Sequence, residues 1–169
     1  SVEEKFTEAS KVIADGADEL DFVMNYPVYL KGNLHTVKEE FIKCTQLCLE
    51  HDKIVKWIIE IAALTEQQIA DLTQHISNWA EENFSETDLP KIFVKSSTGF
   101  YETSDGKPNG ATFEGIKIML AHAGKLSVKA AGGVRTPEDA EKMISLGVKR
   151  IGTSSALALI KNQNGSQGY

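Results

Sequence analysis

The chain has 169 residues, 41% of them hydrophobic and 25% charged, with a formal net charge of −6 at pH 7. This composition suits one soluble globular domain, and the acidic balance argues against nucleic acid or an anionic membrane as partner, since both need a basic face. No run of 18 apolar residues is present to span a membrane, and residues 1–16 are amphipathic rather than a signal-peptide core, so a cytoplasmic protein is expected.

Val2, Phe6, Ala9 and Ile13 fall on one helical stripe, which Gly16 terminates. Residues 18–25, DELDFVMN, read as a strand and residues 35–51 as a helix with Val37, Phe41, Cys44 and Cys48 on one apolar stripe. The cysteines are therefore expected as buried thiols in a reducing compartment, not as a metal or redox pair. Residues 53–62, KIVKWIIEIA, form a second strand, and Thr65 with Gln68 makes a capping box for a helix reaching about residue 82. A third strand follows at 91–97, a helix at 112–123 and a fourth strand at 126–133. Thr136 caps the next helix, with Pro137 in its first turn and Gly147 at its end. A fifth strand at 149–155 leads into a short helix at 155–160 and a polar, flexible tail at 161–169. The histidines, His35, His51, His75 and His122, lie in helices or their flanks without metal-ligand spacing, so no metal is expected.

Alternating β and α units with apolar strands mean a parallel sheet covered by helices. The first βα turn lacks a dinucleotide-type glycine fingerprint, which favours a (β/α)8 TIM-barrel type of fold over a doubly wound sheet. The loops after the last two strands, AGGVRT (131–136) and GTSS (152–155), support the barrel. In barrels the corresponding loops bind phosphate through glycine-exposed backbone N–H groups. Gly132, Gly133, Gly152, Ser154 and Ser155 are the expected cradle.

Side-chain alternation sorts the strand charges. Asp21 shares a face with Val23 and Asn25, Lys56 with Ile58 and Glu60, Lys95 with Phe93 and Ser97, and Lys129 with Ser127 and Ala131. The opposite faces, such as Leu20-Phe22-Met24 and Val55-Trp57-Ile59, are apolar and suited to helix packing. The charged set thus points into the barrel. Such ions need pairing, and a salt-bridge network that fixes strand register is one reading. Chemistry is the other. A lysine attacks a carbonyl only as the neutral amine, and bringing its pKa from about 10.4 to near 7 costs on the order of 4 kcal/mol. Partial burial and a second cation supply a shift of that kind, and Asp21 with water could move the protons. This is the equipment of carbonyl chemistry on a phosphate ester; it does not choose the sugar.

Five stretches, ADGADELDFVMN, KWIIEIAALT, FVKSSTGF, VKAAGGVRTPEDA and RIGTSSALAL, closely resemble deoxyribose-phosphate aldolase in order and spacing, over residues 1 to about 160. The resemblance implies a class I aldolase that cleaves 2-deoxy-D-ribose 5-phosphate to acetaldehyde and D-glyceraldehyde 3-phosphate without metal or cofactor. It implies Lys95 as the Schiff-base lysine, Lys129 as the group lowering its pKa, and Asp21 in the proton relay. Thr98, Gly99, Gly132, Gly133, Gly152, Ser154 and Ser155 would bind substrate and phosphate. Lys56 and Glu60 would be supporting charges or part of the relay. Some family members end in a tyrosine that reaches back to the site, a role that would fall to Tyr169. A homo-oligomer is compatible with this reading.

A complete barrel typically needs about 250 residues, and only five βα units are legible. The resemblance implies three further strands before residue 1, without which the first and fifth strands have open edges. The expectation is a partial barrel domain at 1–160 belonging to a longer protein. The alternatives are a short form dependent on a partner chain, a catalytically silent sugar-phosphate-binding fragment, or a Schiff-base aldolase with another phosphorylated substrate.

Overall fold

The computed structural model describes residues 1–104 and 106–164. Helix α1 (Val2–Ala14) precedes strand β1 (Glu19–Val23), and the short α2 (Tyr26–Leu30) and long α3 (Leu34–Glu50) lead to β2 (Ile54–Ile58). Helix α4 (Glu66–Asn83), β3 (Ile92–Lys95), α5 (Phe113–His122), β4 (Ser127–Ala131), α6 (Pro137–Leu146), β5 (Arg150–Gly152) and α7 (Ala156–Ile160) complete the order. The strands pair in sequence, β1-β2-β3-β4-β5, and every pairing is parallel. The architecture is five consecutive units of a (β/α)8 barrel.

The caps form as the sequence predicts. Thr65 and Gln68 close a capping box on α4, Thr136 and Asp139 close one on α6, and Gly147 ends α6 at φ +111°. The apolar faces Leu20-Phe22-Met24, Val55-Trp57-Ile59, Ile92-Val94 and Val128-Ala130 are buried together with Phe41, Cys44, Cys48, Ile76 and Met119 from the helices. Trp57 anchors this layer: it stacks on Phe22 at 4.9 Å and its Nε1 donates to Thr45 Oγ1 at 2.9 Å. Burial pushes the Cys44 and Cys48 thiols up, to about 11 and about 12, which keeps them protonated and inert.

All five strands are shorter than predicted. β2 stops at Ile58, β3 at Lys95, and β5 spans only Arg150–Gly152. The apolar run continues past β2 because Ile59 and Ile61 remain buried, but the chain leaves the extended conformation at Glu60, whose φ is +57°. Residues 26–30 form a helix that no apolar periodicity signals; Pro27 in its first turn starts it.

β1 and β5 are the outer strands, four spacings apart, about 19 Å if the sheet were flat. Yet the Arg150 guanidinium on β5 donates to the Glu19 carboxylate on β1. The sheet is therefore curled, and its charged face is the concave interior of a barrel segment.

Candidate active site

The register sets the site. Asp21 lies opposite Lys56 across β1 and β2, and one layer towards the C-terminal ends Lys95 lies opposite Lys129 across β3 and β4. Lys95 Nζ donates to Asp21 Oδ1 at 3.2 Å. Lys56, only 3% exposed, has its Nζ 3.5 Å from Asp21 Oδ2 and donates to Glu19 Oε2 at 3.0 Å. Glu19 also receives Arg150, whose hydrogen bond is the largest cause of a carboxyl held below its usual range. A continuous chain of charge, Arg150–Glu19–Lys56–Asp21–Lys95, thus crosses the concave face from β5 to the amine on β3. Arg150 also caps the Phe93 ring at 4.7 Å and keeps that inward-facing aromatic 5% exposed.

Lys129 lies outside these ion pairs. Burial first, and the Lys95 charge second, lower its pKa, with Asp21 opposing them. The two lysines expected from the sequence are together, and Lys95 has the carboxylate partner. Gly152 makes room for the second amine: a Cβ there would stand 3.1 Å from Lys129 Cε.

The expected phosphate loops converge at the same end of the strands, and much of their hydrogen bonding is internal. Gly99, Gly132 and Gly133 all have positive φ. The Gly132 N–H donates to Gly152 O at 2.8 Å, and Ala111 N–H donates to Ala131 O at 2.9 Å. The Thr153 hydroxyl donates to Val134 O at 2.7 Å and accepts the Ser155 N–H at 3.0 Å. The Gly132 amide is therefore engaged by Gly152 at the end of β5, and the Ser155 amide by Thr153 of its own loop. Gly133, Gly152 and Ser154 lie in the same loop cluster.

The face expected for Glu60 changes. Glu60 does not share the face of Lys56, because the ladder ends at Ile58 and the left-handed turn redirects its side chain. Its carboxylate accepts the N–H and the hydroxyl of Thr98, and Thr98 Oγ1 accepts the Phe100 N–H at 3.0 Å. Thr98 is consequently tied into its own loop. Tyr169 lies outside the described residues.

Sequence reasoning missed Glu19, Arg150, Tyr26 and Tyr101. Period-two alternation places Glu19 on the face of Asp21, and Arg150 on the face of Gly152, so the signal for both was present. Tyr26 follows the end of β1, its ring 6.3 Å from Tyr101 in an edge contact, and burial raises its phenol pKa, aided by Tyr101 and Glu60. Nothing in its spacing announced it.

No family model matches the chain. A curated deoxyribose-phosphate aldolase of Streptococcus agalactiae is 35% identical over 165 residues, covering 97% of this chain and 66% of the relative. That of Treponema denticola is 37% identical over 161 residues, covering 95% of this chain and 67% of the relative. The chain thus spans about two thirds of the length of the curated relatives it matches. Among solved structures, the aldolase QR15 is 31% identical with a TM-score of 0.77, over 95% of this chain and 65% of that one. The tetrameric deoxyribose phosphate aldolase of Aeropyrum pernix is 26% identical with a TM-score of 0.73, over 95% and 61%. With its five parallel βα units and the Asp21–Lys95–Lys129 cluster at their C-terminal ends, the chain belongs to the deoxyribose-phosphate aldolase family.

Proposed function

We propose that the protein is a class I aldolase for 2-deoxy-D-ribose 5-phosphate, with Lys95 as the nucleophile. The observation that carries this reading is the register that sets Lys95 against Lys129 with Asp21 3.2 Å from the Lys95 amine. Asp21 accepts a proton from Lys95, and the neutral amine adds to the aldehyde carbon of the open-chain sugar. Loss of water gives a protonated iminium. The C3 hydroxyl proton passes through water to Asp21, which gave up its first proton with the departing water; the C2–C3 bond breaks and its electron pair moves into the iminium to give an enamine. D-Glyceraldehyde 3-phosphate leaves. Protonation of the enamine carbon, relayed through water and Asp21, and hydrolysis of the new iminium release acetaldehyde and free Lys95. A Lys129 ammonium beside Lys95 favours the neutral nucleophile; Lys56 holds the Asp21 carboxylate. Gly133, Gly152 and Ser154 are the proposed phosphate contacts. The reading includes a cytoplasmic role in deoxyribose phosphate breakdown and a homo-oligomer, as in the Aeropyrum pernix neighbour.

The test is acetaldehyde release from 2-deoxy-D-ribose 5-phosphate, coupled to NADH oxidation by alcohol dehydrogenase. Lys95→Ala is expected to lower turnover by at least about a thousandfold; equal turnover in that variant overturns the assignment. The second reading is a sugar-phosphate-binding protein without turnover, favoured by the internal hydrogen bonding of the Gly132 and Ser155 amides. Saturable binding of the substrate with no acetaldehyde from the parent chain would select it.

A further inference from the structure

Glu60 is a buried carboxylate that the mechanism above does not use. It is 2% exposed and pairs with no cation among the described residues. The backbone on either side is fixed to the end of β3: Ile59 N–H donates to Lys95 O at 3.0 Å and Ile61 N–H to Ser96 O at 2.9 Å. Between these two bonds Glu60 turns out of the ladder at φ +57°, ψ +67°, a conformation unfavourable for a residue with a Cβ. The turn sends its side chain to Thr98. Thr98 N–H reaches both carboxylate oxygens, at 3.2 and 3.3 Å, and the Thr98 hydroxyl donates at 2.5 Å.

One carboxylate oxygen, Oε2, uses its two lone pairs for both the N–H and the O–H of the threonine, and Oε1 shares the N–H. With its proton committed to Glu60, Thr98 Oγ1 offers lone pairs alone, and one of these takes the Phe100 N–H at 3.0 Å. Asn109 Nδ2 then holds Gly99 O at 3.0 Å. The segment immediately after Lys95 is thus built on one carboxylate from the neighbouring strand end.

We infer that Glu60 is a positioning residue: it holds the 96–100 turn, through Thr98, in the shape that presents the Lys95 amine. Its value lies in acceptor geometry rather than charge. The inference rests on Lys95 being the nucleophile, and the experiment separates the two claims.

Glu60→Gln and Glu60→Gly are compared with the parent 169-residue chain. Gln keeps a carbonyl acceptor and removes the charge. Gly removes both and accepts the left-handed backbone without strain, so the turn at residue 60 itself is preserved. Three quantities are read: the melting temperature, hydrogen exchange of the 96–100 segment, and the rate of borohydride trapping of acetaldehyde at Lys95. Gln is expected to stay within about threefold of the parent in exchange and trapping, whereas Gly speeds exchange about tenfold and slows trapping to a similar degree at a near-parental melting temperature. Unchanged exchange in Glu60→Gly overturns the inference, as does a Gln variant as slow as Gly, which would make charge the active property. Absence of any adduct in the parent overturns the Schiff-base assignment instead, and the exchange measurement alone then decides whether Glu60 sets the turn.

Discussion

An ammonium at Lys129 is opposed by burial and by Lys95 across the β3–β4 register, and its pKa is lowered accordingly. Between the folded and unfolded pKa values the unfolded chain binds more protons, so stability rises with pH through that window and the full penalty applies below the folded value. Lys129→Met is therefore expected to raise the melting temperature at pH 7 by about 2–4 °C, the equivalent of ~1 kcal/mol in a chain of this size. That gain should fade above the unfolded lysine pKa. Adduct formation at Lys95 should slow in the same variant, because removing the second cation lets Lys95 keep its proton. Melting curves from pH 7 to 11 with parallel trapping check both; a variant that melts lower at pH 7 contradicts the first. At this scale Asp21, Lys56, Lys95 and Lys129 were legible because alternation holds along a strand. The face given to Glu60 was wrong because alternation stops where the ladder stops, and no residue pattern announces a left-handed turn at a glutamate.

The loops after β3, β4 and β5 pack backbone against backbone, and glycine is required where they touch. At Gly133 φ is +74° and an added Cβ would lie 2.3 Å from Ala111 O. Gly133→Ala is expected to cost about 3 kcal/mol, seen as a lower urea midpoint with unchanged m-value. Gly16 has φ +95° but no atom within 4 Å of an added Cβ. Gly16→Ala should cost only about 1 kcal/mol, from backbone strain alone. Equal losses at the two positions contradict the loop packing described here. The helix ends were readable from Thr65, Thr136 and Gly147, whose side-chain and backbone chemistry is local. The strand ends were not, since Ile59 and Ile61 stay buried after the extended conformation is over.

Across the whole molecule, the Glu19–Arg150 pair joins the first and last strands over the concave face. Both side chains are about one third exposed, so the pair is expected to contribute about 1 kcal/mol. A double-mutant cycle of Glu19→Gln and Arg150→Leu should show coupling of that size; additive effects contradict a bond across the sheet. The curl that permits this contact could not be read from the sequence, because alternation assigns faces and not curvature. A cavity of about 480 Å³ opens along the free edge of β1, lined by Ala9, Val12, Glu19, Asp21 and Val23 among others.

The central claim is that Lys95 forms the covalent intermediate. The most direct measurement is borohydride reduction in the presence of acetaldehyde, followed by intact mass and peptide mapping. The account predicts one two-carbon adduct per chain, carried by the peptide containing Lys95 and absent in Lys95→Ala. An adduct confined to the Lys129 peptide, or one that persists in Lys95→Ala, would contradict it.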